Sequence, residues 1–323
     1  MHDEVQSHGG RIALVLHGGA GVIEREALSG EDECAIRADL DHALDAGHAV
    51  LAAGGCALDA VEAAVVVLED SPRFNAGRGA VFGADGRHEL DAALMEGHTQ
   101  RAGAVAGVTT VRNPIRLARA VMESSPHVML AGAGAESFAD TCNGLERVSN
   151  AWFDTDVRRE QLRRARAVDG QSALPAMRGG YFGTVGAVAL DVHGHIAAGT
   201  STGGMTNKRY GRIGDSPVIG AGTWADANCG VSGTGWGEFY IRHAVAHDIA
   251  ARIAYRGDTL ADAAAEVVER IIPAAGGDGG AIALDVHGNI AMPFNTPGMY
   301  RGWIGTDGVR GTAIFRAAPR RSA

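Results

Sequence analysis

In Gly183-Thr184-Val185-Gly186-Ala187-Val188 a threonine heads an apolar strand directly after a glycine. A threonine hydroxyl holds its proton too tightly at neutral pH to attack a carbonyl unaided. If the peptide bond before Thr184 is cut, the new α-amine, with an ordinary pKa of roughly 7.7 to 8.0, sits beside the hydroxyl as its own base. Nucleophile and base then share one residue. Gly183 removes bulk at the bond to be cut and tolerates dihedrals that other residues avoid. Farther on, Arg212 and Asp215 stand three apart in a glycine-rich loop. A free amino-acid head carries a carboxylate and an ammonium on one carbon. A guanidinium fork can grip the first, and an aspartate can take the second.

Other constellations compete. Gly199-Thr200-Ser201-Thr202-Gly203 matches the G-x-S-x-G elbow of serine hydrolases, with Ser201 as nucleophile, but that elbow needs a helix straight after it. Here Gly204-Met205-Thr206-Asn207-Lys208 reads as a loop. His243 and His247 have the i, i+4 spacing of zinc ligands on one helix face, with Ala244 where a zinc protease needs its glutamate. Gly18-Gly19-Ala20-Gly21 could cradle a phosphate, yet has neither dinucleotide-binding spacing nor a P-loop lysine. A serine hydrolase and a non-catalytic glycine-rich binding protein are therefore the alternatives from other classes.

The elements that must position these residues follow from periodicity. Residues 11–16 form a short apolar run, and 31–53 and 57–68 carry apolar residues at helical spacing. Ala80-Val81-Phe82 and 88–94 flank Asp85-Gly86, which predicts a hairpin. Strands are expected at 105–111 and 128–130, and helices at 115–122, 136–141, 238–254 and 260–272. Apolar periodicity lapses between 150 and 183, where five arginines precede Asp169-Gly170-Gln171-Ser172. The stretch from about 151 to 183 is expected as a mobile linker, and one so long inside a domain suggests a processed segment. Val188-Ala189-Leu190-Asp191-Val192-His193-Gly194 recurs as Ile282-Ala283-Leu284-Asp285-Val286-His287-Gly288, each copy reading as one arm and the turn of a hairpin. Paired strands and paired helices point to an α+β chain with sheets between helices rather than a doubly wound sheet.

Composition narrows the class. The net charge of −9 argues against a nucleic-acid partner, which needs clustered Lys and Arg. No apolar run is long enough to span a bilayer, so no membrane partner is expected. Cys34, Cys56, Cys142 and Cys229 are widely spaced, without a disulfide or zinc pattern. They fit a reducing compartment, the cytoplasm. Glycine, 47 of 323 residues, is roughly twice its usual share and clusters between apolar strands, where backbone must turn tightly or approach a ligand.

Taken together, several blocks are similar to the plant-type asparaginase, or isoaspartyl peptidase, family of N-terminal nucleophile (Ntn) hydrolases. They are His17-Gly18-Gly19-Ala20-Gly21, Phe74-Asn75-Ala76-Gly77, His88-Glu89-Leu90-Asp91-Ala92, the Gly183-Thr184 strand, Thr200-Ser201-Thr202-Gly203-Gly204-Met205, Gly211-Arg212-Ile213-Gly214-Asp215-Ser216-Pro217, Thr234-Gly235-Trp236-Gly237-Glu238 and Pro293-Phe294-Asn295-Thr296. The resemblance covers nearly the whole chain in order.

It implies a single domain with a four-layer αββα sandwich, self-cleaved into residues 1–183 and 184–323, which remain associated. It implies hydrolysis of the side-chain amide of L-asparagine or the isopeptide bond of β-aspartyl dipeptides through a Thr184 acyl-enzyme. Thr202 would bond the nucleophile, and Thr234 with Gly235 would form the oxyanion hole. Arg212, Asp215 and the Gly237 carbonyl would hold the substrate head, and Asn75 would reach into the site. Gly18 and Gly19 would lie beside the scissile bond. No catalytic cofactor is implied, but a structural sodium ion is, held by the carbonyls of Leu68, Glu69, Ser71, Phe74, Ala76 and Arg78, together with a homodimer of cleaved protomers. Tyr181-Phe182 before the cut, Trp236, and Gly233 before Thr234 depart from the family's pattern. Glycosylasparaginase and threonine aspartase are the near rivals, and the His17-Gly18-Gly19 and Thr202 to Lys208 blocks favour the asparaginase branch.

Overall fold

The computed structural model describes residues 11–169 and 183–316. Twelve strands among them form two sheets. They are β1 (Ala13–Gly21), β2 (Leu90–Glu96), β3 (Ala102–Val108), β4 (Met129–Ala131), β5 (Val185–Leu190), β6 (Ile196–Thr202), β7 (Thr223–Ala225), β8 (Cys229–Gly235), β9 (Gly279–Asp285), β10 (Ile290–Ala291), β11 (Gly298–Ile304) and β12 (Arg310–Phe315). The eight-stranded sheet has the order β12-β11-β1-β5-β6-β2-β3-β4, and the four-stranded sheet runs β10-β9-β8-β7. β3 and β4 are parallel, and the other pairs are antiparallel.

Alternation along the strands separates three apolar clusters. On β1, Leu14 and Leu16 pack with helices α1 (Gly30–Ala52), α2 (Ala57–Asp70) and α3 (Pro114–Ser124). Ala13 and Val15, on its other face, pack with Ile282 and Leu284 of β9. The opposite face of β9, Ala281 and Ala283, joins Val231 of β8 to Val245 and Ile249 of a later helix. Strands buried on both faces need nearly continuous apolar runs, which is why the paired hairpins read as they do. Helix α1 starts on Ser29, whose hydroxyl oxygen accepts the Asp32 N–H at 3.0 Å. It buries Leu40, Leu44 and Leu51, any of which would cost about 2 to 5 kcal/mol if cut back to alanine.

The structure corrects three expectations. Much of the stretch expected as a linker is helix α5 (Asp156–Asp169), preceded after α4 (Gly132–Ala139) by a short turn. Arg158 is buried there and its Nε donates to the Gly79 carbonyl at 2.7 Å. Tyr181 and Phe182 lie outside the described residues. The helix expected at 238–254 is broken at Ala244, which has φ 46°, into α6 (Gly237–His243) and α7 (Val245–Ala251). His243 and His247 therefore share no helix face, and His247 packs edge-on against Trp224. Residues 80–82 form no strand, although the Asp85-Gly86 turn closes with Gly83 N–H donating to the Arg87 carbonyl at 2.8 Å.

Candidate active site

Because β5 lies between β1 and β6, the residue at its head meets the ends of both neighbours. That residue is Thr184, which is buried. Its Oγ1 donates to Thr202 Oγ1, at the end of β6, at 3.1 Å. Thr202 Oγ1 also accepts the Gly204 N–H at 3.0 Å and donates to the carbonyl of Gly183 at 3.1 Å. Asn75 Nδ2 donates to the same Gly183 carbonyl at 2.8 Å and to that of Gly204 at 2.7 Å. The amide cannot rotate away, because its Oδ1 accepts the Val81 N–H at 2.9 Å. The carbonyl one bond before Thr184 is thus held by two donors, which polarise it toward attack.

β1 supplies the third side. Gly19 has φ 111°, and a Cβ there would lie 2.9 Å from Gly183 Cα and 3.1 Å from Thr184 N. The register of β1 against β11 shifts between His17 and Gly19, a bulge in the strand where it lies against this bond. Immediately after it, Ala20 N–H donates to Thr234 Oγ1 at 3.1 Å. Thr234 is buried at the end of β8 and Gly235 follows it, paired with Gly279.

Arg212, Asp215 and Gly237 converge as the sequence suggested, with a partner it did not show. The Arg212 guanidinium is held side-on by Glu238, at 3.0 Å from Nε to Oε1 and 2.9 Å from Nη2 to Oε2. Burial would raise the Glu238 carboxyl, but the Arg212 bonds outweigh it and hold it low. Asp215 sits deeper. Burial pushes its carboxyl up to about 7 against the opposing charge of Arg212, and its Oδ2 has no hydrogen-bond partner among the described residues. A Cβ on Gly237 would lie 2.7 Å from Arg212 Nη2 and 2.8 Å from Asp215 Oδ1, so only glycine fits between them. A buried carboxylate oxygen with no partner among the described residues, beside a guanidinium, has the chemistry to take an ammonium and a carboxylate together. No spacing ties Glu238 to an arginine 26 residues earlier, so the sequence could not single it out.

Ser201, the serine-hydrolase alternative, is fully buried, and its hydroxyl donates to Glu69 Oε1 at 2.6 Å. It alternates with Thr200 and Thr202 along β6 and so points to the other face. In the loop after α2, the last-turn carbonyls of Leu68 and Glu69 are left over by the helix end. Gly77 packs so closely on Glu69 that a Cβ would lie 2.2 Å from its carbonyl oxygen. Carbonyls left over at the negative end of a helix are the kind of neutral oxygen that a hard cation takes.

A strand-heading threonine whose preceding carbonyl is held by two donors is the arrangement that self-cleavage by an N-terminal nucleophile hydrolase calls for. The sequence profile of the asparaginase family matches residues 10–314. The isoaspartyl peptidase of Escherichia coli is 51% identical over 95% of this chain and 97% of its own. The plant-type L-asparaginase of Pyrobaculum calidifontis is 42% identical over 90% and 96%. The isoaspartyl peptidase/L-asparaginase of Mus musculus is 39% identical over 89% and 86%. The chain belongs to the asparaginase family.

Proposed function

We propose that the protein is an amidohydrolase that cuts itself before Thr184 and then hydrolyses L-asparagine and β-aspartyl dipeptides. The observation that carries this reading is the hydrogen-bonded path from Thr184 Oγ1 through Thr202 Oγ1 to the Gly183 carbonyl. In maturation Thr184 Oγ1 attacks the Gly183 carbonyl carbon, and Asn75 and Thr202 hold the oxygen as it gains charge. The C–N bond breaks, Thr184 N takes the proton that the hydroxyl gave up and becomes the free amine, and water hydrolyses the resulting ester to leave the Gly183 carboxylate.

In turnover the α-amine accepts the hydroxyl proton as Oγ1 attacks the substrate's side-chain carbonyl. Ammonia, or the amino group of the second residue, departs with that proton. Water then releases aspartate. Thr234 and the Gly235 N–H receive the oxyanion, where one such donor is worth about 2.7 to 4 kcal/mol. Thr234 already accepts from Ala20, which orients its hydroxyl. Arg212 takes the α-carboxylate on the edge that Glu238 leaves open, and Asp215 with the Gly237 carbonyl takes the α-ammonium.

The finer architecture belongs to the same reading: two sheets face to face, with helices outside each, form one four-layer αββα domain. A sodium ion held by the carbonyls of Leu68, Glu69, Ser71, Phe74, Ala76 and Arg78 would brace the loop that carries Asn75. The wide spacing of the four cysteines fits a reducing cytoplasm, and we assign a homodimer of cleaved protomers from the family resemblance. No helix among the described residues is long and apolar enough to cross a membrane.

The test compares L-asparagine, a β-aspartyl dipeptide and its α-N-acetylated form on fully cleaved protein. The first two should release aspartate, and the acetylated dipeptide should be refused by at least about tenfold in kcat/KM, or about 1.4 kcal/mol. Equal turnover of the acetylated form would mean that Asp215 does not hold the substrate head.

A further inference from the structure

The end of β8 that presents Thr234 is nearly bare of side chains. Gly233 and Gly235 flank it along the strand, and Gly279 and Gly280 lie opposite on β9, with Gly280 the register partner of Thr234. Glycine gives a strand no side chain to pack and the most conformational freedom to lose. A donor aimed at a developing oxyanion must nevertheless keep its place to within about 0.5 Å. The rigidity has to come from outside the strand.

Tyr240 is placed to supply it. β8 runs through Trp236 into α6, whose first turn closes with the Phe239 and Tyr240 N–H groups both donating to the Trp236 carbonyl, at 3.0 and 3.4 Å. One turn in, Tyr240 is folded back under the strand that the chain has just left. Alternation sends Thr234 to the face of β8 where its Oγ1 meets Ala20, and turns Gly233 and Gly235 the other way. On that second face a Cβ at Gly233 would lie 3.1 Å from both Cδ1 and Cε1 of Tyr240, and a Cβ at Gly235 would lie 2.8 Å from Cε2. The ring therefore spans the two glycines, one edge against each, in the space their side chains would fill. Gly233, one of the departures from the family's pattern, is the room that one edge needs. Beyond the ring, the phenol reaches β9 and donates to the Gly280 carbonyl at 3.0 Å. Tyr240 is fully buried, so no water competes for that bond, and burial pushes the phenol well up, which keeps it a donor. One side chain thus touches both neighbours of Thr234 on its own strand and its partner on the next.

We propose that Tyr240 is a positioning residue for the oxyanion hole: its ring on Gly233 and Gly235 and its hydroxyl on the Gly280 carbonyl fix the place of Thr234. It acts from the face of β8 opposite the Thr234 side chain and does not touch substrate. Maturation is spared, because the Gly183 carbonyl is held by Asn75 and Thr202, outside β8. The two reactions of Thr184 therefore differ in their need for Tyr240. The proposal rests on the reading of Thr234 as an oxyanion donor in turnover.

The test uses the full chain with Tyr240→Phe, which keeps the ring and removes the bond to Gly280. Self-cleavage should run within about twofold of the wild-type rate, while on cleaved protein kcat for L-asparagine falls at least about fivefold and KM stays within about threefold. Gly233→Ala, which presses on the ring and leaves the hydroxyl in place, should give the same split between maturation and turnover. In a Thr234→Ala background, Tyr240→Phe should lower kcat by no more than about twofold, since the donor it positions is already gone. A wild-type kcat in Tyr240→Phe would overturn the proposal. So would self-cleavage slowed as much as turnover, or a loss that adds in full to that of Thr234→Ala, either of which is what a general loosening of the fold produces. If Tyr240→Phe does not fold, Gly233→Ala alone and combined with Thr234→Ala decides by the same criteria. A wild-type protein that turns over neither asparagine nor β-aspartyl dipeptide would instead refute the proposed function, and this role with it.

Discussion

Asp215 keeps an unsatisfied carboxyl in the interior, and that has a cost in stability. Its folded-state value of about 7 lies above the ordinary carboxylate range, so between roughly pH 4 and pH 7 the folded chain holds a proton that the unfolded chain has lost. The stabilisation is full below pH 4 and is lost as the pH rises through 7. Asp215→Asn should therefore melt at least about 2 °C above wild type at pH 8, with the gap closing near pH 4, while losing substrate binding. Thermal scans at the two pH values check it; a variant no more stable than wild type at pH 8 would mean that the carboxylate is paired in solution. The same ionisation gives kcat/KM an acid limb centred near pH 7, since only the carboxylate can take an ammonium. A limb centred near 4 would contradict it. At this scale the sequence was informative wherever chemistry is local: a threonine after a glycine, or an arginine three residues from an aspartate. It was silent on Glu238, because the pairing with Arg212 arises only when α6 is laid against the loop.

In the proposed maturation, the bulged end of β1 is the element that bears on the cut. Gly19 occupies a left-handed conformation against the backbone on both sides of the bond before Thr184. Gly19→Ala would be strained at φ 111° and would push a methyl group into that backbone, which cannot yield as a side chain could. Self-cleavage should slow by at least about tenfold, and the same strain should lower the thermal midpoint of the uncut chain by a few degrees. Fragment accumulation on a denaturing gel over time reads it, and cleavage at the wild-type rate would mean that the end of β1 stands off in solution. Elements with strong apolar periodicity, such as α1 and α2, were legible almost to their ends. Helix α5 was hidden because its contacts are polar: Glu160 pairs with Arg163 and Arg164, and Arg158 is buried through a backbone carbonyl rather than an apolar stripe. The break at Ala244 was equally invisible, since alanine is a strong helix former and only tertiary packing gives it a left-handed conformation.

Over the whole molecule, the strand order explains why a cut before Thr184 need not separate the halves. In the larger sheet β1 of the first half lies between β11 and β5 of the second, and β6 of the second lies between β5 and β2. The two halves are interleaved by backbone hydrogen bonds, so separating them means dismantling the sheet. The threading of β1 between β11 and β5 could not be read from local periodicity, which identifies strands but not their neighbours. The central claim is that Thr184 acts as nucleophile and, once freed, as its own base. Intact-mass spectrometry of the same preparation used for turnover tests it most directly, run under native and denaturing conditions. Native spectra should show the two halves together, and denaturing spectra two fragments whose junction lies between Gly183 and Thr184, with activity rising in step with the cut fraction. A single uncut chain that hydrolyses asparagine at full rate would contradict the account.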